Sequence, residues 1–333
     1  MNTVTLRSFV LFVCVSLLSF VTCAGTRLGI VGGHFVVDGS PTFLLGASYY
    51  GGLGASPEHL RKDLSQLQAD GFNWIRLWAN WSGFANVSAF NADGTKREPY
   101  WDRLVALVDE CDRMGMVVDL TLYRNKSGDD KRMLPDLASH RRAAENLTQG
   151  LRKYRNWYCD LANERDVRDA RYVSFEDLRA LRDAVKQLDP KRLVTASGVP
   201  NERNLKDYLE TAGLDFIAPH LPRNPASPGQ TEARVRQLRQ WMKASGKVVP
   251  VQLQEPFRRG YTRWQPTAED FLTDLLGARR GGAAGWCFHN GGERGAPGER
   301  PRRSFDLTQQ RLFPQLDGQE RRFIAAVRAL HGK

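Results

Sequence analysis

Two carboxylic acids close two similar stretches of this chain. In Trp157–Asp166, WYCDLANERD, a short apolar run ends in Asn163-Glu164; in Val249–Pro256, VPVQLQEP, another ends in Glu255. An amide beside a carboxylic acid can hold a hydroxyl while the acid protonates a leaving oxygen, and a second carboxylate opposite can attack the carbon left behind. Side chains on a strand alternate with period two, so Asp160, Ala162 and Glu164 are expected on one face of the first run, and Val251, Leu253 and Glu255 on one face of the second. Facing each other across a cleft at a separation of about 5 Å, such a pair suits displacement at an acetal carbon with retention of configuration.

The surrounding elements must bring the two ends together. Apolar runs at Phe43–Ser48, Asn73–Trp78, Met116–Leu122, Trp157–Ala162, Arg192–Ser197, Phe216–Pro219, Val248–Leu253 and Gly285–His289 read as eight strands. Helical signals fall between them. Ser56-Pro57 supplies a cap and a first-turn proline before Leu60, Leu64 and Leu67; Leu104, Leu107, Val108, Cys111 and Met114 form a stripe stopped by Gly115. Further helices are predicted near Ser139–Tyr154, after the capping residue Ser174, over Asn204–Ala212, Thr231–Ser245 and Thr267–Arg280, and around Phe323, Val327 and Leu330. Eight strand–helix units without a break in composition predict an α/β protein, a (β/α)₈ TIM barrel in one domain over residues 25–333. Ahead of it, Phe35-Val36-Val37, the turn Asp38-Gly39 and Pro41-Thr42-Phe43 predict a short N-terminal hairpin that plugs one end. Barrels of this kind place their chemistry where strands end and βα loops begin, so the fourth and seventh strands put Glu164 and Glu255 across the mouth from each other.

With Asn73-Trp74-Ile75-Arg76 on the second strand, Asp160–Glu164 on the fourth, Glu255 on the seventh and Gly285-Trp286 on the eighth, the chain resembles the cellulase-like clan A glycoside hydrolases, family five or a close relative. The resemblance implies hydrolysis of O-glycosidic bonds in β-linked glycans, with Glu164 as general acid/base and Glu255 as nucleophile, in a chain that its leader marks as secreted or periplasmic. It also implies that Asn163 binds the hydroxyl beside the reacting carbon and that Trp286 forms a floor under the sugar. Arg76 is expected to keep Glu255 ionised, because a nearby guanidinium favours a carboxylate. His220, Trp78 and Tyr49 complete the expected substrate contacts, with Trp81 and Trp264 as further platforms. In two places the chain departs from the pattern. Many clan members carry a tyrosine two residues after the strand-six histidine, where this chain has His220-Leu221-Pro222, and a histidine on strand three, where it has Asp119-Leu120-Thr121. Tyr261, Tyr123 and Tyr49 are alternative sources of that hydroxyl.

Composition bounds the remaining classes. Arg7, the apolar run Phe9–Val21 and the small residues Cys23-Ala24 read as a signal peptide over 1–24, cleaved near Ala24, and bulky Phe20-Val21-Thr22 disfavours a lipid anchor at Cys23. No later segment suggests a transmembrane span. The formal charge of +11 includes one positive charge from Arg7, which leaves +10 after cleavage, and the pairs Arg258-Arg259, Arg279-Arg280 and Arg302-Arg303 are scattered. Scattered charge fits a basic surface better than a nucleic-acid face; the resemblance implies an oligo- or polysaccharide partner, and the expected state is a monomer. A glycan-binding barrel with impaired catalysis, or a basic exported protein holding an anionic polymer, are the competing readings. Cys111, Cys159 and Cys287 form no disulfide framework, and the six histidines show no close ligand pair, so neither metal nor cofactor is expected. Arginine-rich mouth loops such as Arg258-Arg259 raise the option of an acidic sugar.

Overall fold

The computed structural model describes residues 25–126, 133–289 and 305–331. The leader expected over 1–24, with Cys23 and Ala24, lies outside the described residues, as does the 291–303 loop.

A three-stranded antiparallel sheet comes first: β1 (Leu28–Val31), β2 (His34–Val37) and β3 (Ser40–Thr42), in that spatial order. Strands β2 and β3 are the predicted hairpin, turning through Asp38, whose φ is +51°, and Gly39. Phe35 on β2 is fully buried and packs against Tyr158, 6.5 Å between centroids, and edge-on against Phe216 at 5.0 Å. Those contacts, and the bridge from Arg27 to Arg155, seat the sheet beneath the barrel, at the N-terminal ends of its strands.

The barrel follows: β4 (Leu44–Ser48), α1 (Pro57–Ala69), β5 (Trp74–Trp78), α2 (Tyr100–Arg113), β6 (Val117–Thr121), α3 (Leu137–Gly150), β7 (Trp157–Asp160), α4 (Phe175–Leu188), β8 (Val194–Thr195), β9 (Ser197–Gly198), β10 (Ala218–Pro219), α5 (Ser227–Ala244), β11 (Gln252–Leu253), α6 (Ala268–Gly281), β12 (Gly285–Phe288) and α7 (Gly318–His331). Parallel pairing runs β11-β12-β4-β5-β6-β7-β8, and β9 pairs with β10. The ring closes through the parallel bridge Ile217–Val251, with Gln252 N–H donating to the Ile217 carbonyl at 2.9 Å. The expected fifth strand is therefore one path in two pieces. At the start of the second piece, Ser197 N–H is shared between the Ala162 carbonyl and Asp160 Oδ1, each at 3.2 Å. The helix expected over Asn204–Ala212 is reduced to a short turn containing a π-helical stretch, Asp207–Thr211.

Local sequence explains most helix starts. Ser56 accepts from His59 N–H to cap α1, and Thr267 and Asp270 form a capping box on α6. The α2 stripe buries Leu104, Leu107, Val108 and Cys111 against the sheet, at roughly 1.5–3 kcal/mol for each large apolar side chain. The three described cysteines are free and buried. No helix among the described residues is long and apolar enough to cross a membrane.

Register decides which side chains point into the barrel. Gly46 pairs with Trp74, Ser48 with Arg76, Arg76 with Asp119, and Thr121 with Asp160. Neighbours in register on parallel strands share a face, so these residues line the interior in layers. Gly46 makes room for one of them, since a Cβ there would lie 1.9 Å from the Trp74 ring.

Candidate active site

Arg76 is the hub of the interior. Its guanidinium is fully buried, and its Nη2 lies 3.1 Å from Asp160 Oδ2 and 2.9 Å from Asn163 Oδ1. Nε donates to Thr121 Oγ1 at 3.2 Å and lies 3.4 Å from Asp119 Oδ2. Nη1 donates to Glu255 Oε1 and, at 3.0 Å, to the Tyr50 hydroxyl. One cation thus links strands two, three, four and seven of the barrel. It also orients Asn163: with Oδ1 accepting from Arg76, the amide NH₂ is the group left to face a ligand.

Glu255 follows β11 and is buried. Burial alone would push its carboxyl up, but His220, Arg76 and Arg223 beside it outweigh that and hold it well below the usual glutamate range. Arg223 Nη2 lies 2.8 Å from Glu255 Oε2 and 3.9 Å from Glu164 Oε1.

Glu164 reaches the mouth by a turn, because β7 ends four residues earlier. Its φ is +48°, in the left-handed region that side chains other than glycine seldom adopt, a conformation that costs about 1–2 kcal/mol and concentrates at functional sites. Ser197 holds it there, its Oγ accepting the Glu164 N–H at 2.9 Å and its carbonyl accepting Arg165 N–H at 3.0 Å. The side chain bonds Arg171 Nη1 at 2.7 Å and meets His220 Nδ1 at 3.4 Å. Burial raises its carboxyl, yet the His220 contact and the Arg223 charge bring it below the usual range in the ligand-free site.

Of the residues expected to meet substrate, Asn163, Arg76, His220 and Trp78 converge with Glu164 and Glu255. Tyr49 and Trp286 do not. Tyr49 points outward, its hydroxyl bonding Asp63 of α1 at 3.0 Å. Trp286 is in register with Leu45, also outward, and its indole N–H donates to Asp274 of α6 at 2.6 Å. It is a core residue under α6 and α7, where it packs on Phe323 at 5.5 Å. Trp264 packs on Phe257 at 4.8 Å, away from the cavity lining.

Tyr50, one residue on, supplies the hydroxyl absent after His220. Its O–H donates to Glu255 Oε1 at 2.8 Å and lies 3.0 Å from His289 Nδ1. Arg258 Nη1 donates to His289 Nε2 at 2.7 Å, which leaves the ring proton on Nδ1, directed at the Tyr50 oxygen. Burial pushes His289 well below the usual histidine range, and the surrounding arginines add to this against the pull of Glu255, consistent with that neutral tautomer. Every hydrogen bond of the Tyr50 hydroxyl then has one direction: in from Arg76 and His289, out to Glu255. Removing a bond to a charged group costs about 1.5–3 kcal/mol, so if Glu255 takes part in the reaction Tyr50→Phe should lower kcat/KM by one to two orders of magnitude. An unchanged kcat/KM, measured alongside an unchanged Tm, would show that the contact is structural.

These groups open into a cavity of about 590 Å³ whose lining includes the aromatics Tyr50, Trp78, Trp81, Tyr123 and Tyr261 and the arginines Arg171, Arg223 and Arg258. Trp78 stacks on Tyr123 at 5.2 Å and meets Trp81 edge-on at 5.2 Å, and its buried indole N–H has no partner among the described residues. Glu164, His220 and Glu255 offer donor atoms within 4.8 Å of one another, a set that could hold a divalent ion by donor type. Arg171 and Arg223 already neutralise those carboxylates, and a dication would face both guanidiniums at close range.

The closed barrel, with its polar cluster at the C-terminal ends of the strands, has the fold of glycoside hydrolase family 5 structures. No family model matches the sequence, and no curated protein matches it. Among solved structures, it is similar to the endo-1,4-beta-mannanase from Rhizomucor miehei (TM-score 0.65, 12% identity, covering 92% of this chain and 100% of that one). Similar too are a glycoside hydrolase family 5 structure from Bacteroides vulgatus (0.66, 15%, 92% and 71%) and the beta-mannanase of the blue mussel Mytilus edulis (0.61, 15%, 92% and 97%). At these identities the likeness is one of fold.

Proposed function

We propose that this protein is an exported retaining glycoside hydrolase acting on β-linked glycans, with Glu164 as general acid/base and Glu255 as nucleophile. The observation that carries this reading is the approach of the two carboxylates to within 4.8 Å at the mouth of the barrel, the close spacing that double displacement needs. Glu164 gives its proton to the glycosidic oxygen as the bond to the anomeric carbon breaks, and a Glu255 oxygen bonds that carbon. Water, deprotonated by Glu164, then attacks the same carbon and releases Glu255. Oε1 of Glu255 is tied to Arg76 and Tyr50, so Oε2, held among the described residues by the single hydrogen-bond donor Arg223, is the attacking atom. Trp78, Trp81 and Tyr123 offer flat apolar faces to sugar rings, and the Asn163 amide offers a donor to a ring hydroxyl.

The reading is tested by incubating the purified protein with a panel of β-linked polysaccharides, β-1,4-mannan among them because similar folds belong to mannanases, and following the first-formed anomer by NMR. Net retention is expected; an inverted first product, or no cleavage of any member, would defeat it.

The charge around Glu164 also sets a pH dependence. Reaction requires Glu255 ionised and Glu164 protonated. Both carboxyls lie below the usual value of 4.5, Glu255 well below it. The free enzyme therefore holds the productive pair of states on the acid side, and kcat/KM should fall as pH rises above Glu164's depressed pKa. His220→Gln removes the first of the groups drawing Glu164 down and should move this limb to higher pH. A wild-type limb near neutrality, unmoved by that substitution, would count against Glu164 as the acid.

A further inference from the structure

We propose that the glycan taken by this cleft is anionic, and that Arg258, with Arg223 and Tyr261, forms a subsite for a carboxylate or sulfate carried on a sugar next to the cleavage point. The proposal rests on the glycoside hydrolase reading for its substrate class, while the subsite itself is a matter of binding.

Arg258 is 6% exposed and lines the cavity. Among the described residues, Nη1 donates to neutral His289, the guanidinium lies 4.3 Å from the face of Tyr261, Nε is buried without a partner, and no carboxylate pairs with it. Glu255 acts on it from beyond ion-pair distance, and a buried guanidinium without a paired counter-ion is unfavourable unless an anion reaches it. Nearby Arg223 sits 5.4 Å from the same Tyr261 ring. Charge in the cavity lining points the same way, with Arg171, Arg223 and Arg258 set against Glu164 and Glu255. A planar fork of N–H donors matches a carboxylate or sulfate, whereas neutral hydroxyls leave the charge uncompensated.

The subsite also gives Arg223 somewhere to go. Its Nη2 lies within 4 Å of both catalytic candidates, in the space an anomeric carbon must enter. An anionic substituent beside Arg258 provides a second carboxylate or sulfate for Arg223 as the sugar displaces it from Glu255.

Binding can be read apart from turnover with monosaccharides, which contain no glycosidic bond to cut. Wild-type protein would be titrated with glucuronate, galacturonate and glucose 6-sulfate, and with glucose and galactose, at low and moderate salt. At least one acid should bind tenfold or more tightly than its neutral counterpart; the uronates and the sulfate separate the two sources of negative charge. Arg258→Gln should erase most of that ratio, whereas Arg152→Gln, an exposed arginine of the opposite face, should leave it. Equal affinity for acidic and neutral sugars, equal loss in both variants, or no binding of any sugar would overturn the subsite. Should Arg258→Gln fail to fold, Arg258→Lys, which keeps the charge but loses the fork, should still reduce the ratio, and an unchanged ratio there counts against the proposal. Selective binding of an acid without cleavage of any glycan would leave this subsite standing while removing the hydrolase reading.

Discussion

Glu255→Gln should abolish turnover, on the order of 10⁶-fold as for the loss of a covalent nucleophile elsewhere, with little change in fold. The amide cannot form the glycosyl–enzyme bond, yet it still accepts from Arg76 and Tyr50. Glu164→Gln should differ in a way that separates the two roles. Loss of a general acid costs about 10²–10⁴-fold when the leaving oxygen is a sugar alkoxide. An aryl glycoside with an acidic phenol departs without much help, so its cleavage should suffer far less in the first step. Rates for both variants on a glycan and on an activated aryl glycoside decide the matter. Equal losses on both substrates in Glu164→Gln, or near-normal turnover in Glu255→Gln, would exchange or remove the assignments.

The second large effect is on stability. Arg76→Met leaves Asp119, Asp160 and Glu255 facing one another without their common cation. Breaking a buried pair by removing one partner costs about 3–5 kcal/mol, a fall in Tm on the order of 5–10 °C for a domain of this size. The pH response provides the signature. In the wild type, Glu255 has a depressed folded-state pKa, so its contribution is present above the unfolded value and is lost as pH falls through the folded one. Burial already holds Asp119 up at about 8 against the pull of Arg76; without Arg76, the burial of Glu255 meets less opposition, its carboxyl should rise, and the variant should be least destabilised in acid and lose ground as pH rises. Thermal melts from pH 3 to 8 would show the two trends diverging; parallel curves would mean that Arg76 is not the group that holds Glu255 ionised.

Sequence reasoning reached Glu164, Glu255 and Arg76 because strand order and strand ends carry them, and both survive errors in boundaries. It chose Tyr49 over Tyr50 and placed Trp286 in the mouth for a shared reason. Leu44–Ser48 and Gly285–Phe288 are buried on both faces, so no polar alternation marks which residues point inward. Register with Arg76 and Gly46 supplies that phase, and it becomes visible only once strands are paired. His289 has the inward parity of Gly285 and Cys287, a signal that was present but unread. Arg171 and Arg223 lie on loops, whose course no periodicity encodes, and Arg258 is legible only as one of the basic pair Arg258-Arg259. The period-two argument brings Glu164 to the mouth by a route the chain does not take, since β7 stops at Asp160 and a positive-φ turn completes the reach.

The three-stranded sheet under the barrel has a practical consequence. Thr26 Oγ1 donates to the Asp112 carbonyl at the end of α2, and Leu28 bonds Arg155 just before β7, so the chain enters from the floor of the molecule. The cleft opens on the roof. A tag, resin linkage or surface anchor joined ahead of Gly25 would therefore leave the cleft pointing away from its support, and the protein should remain open to long polymers when immobilised by that end.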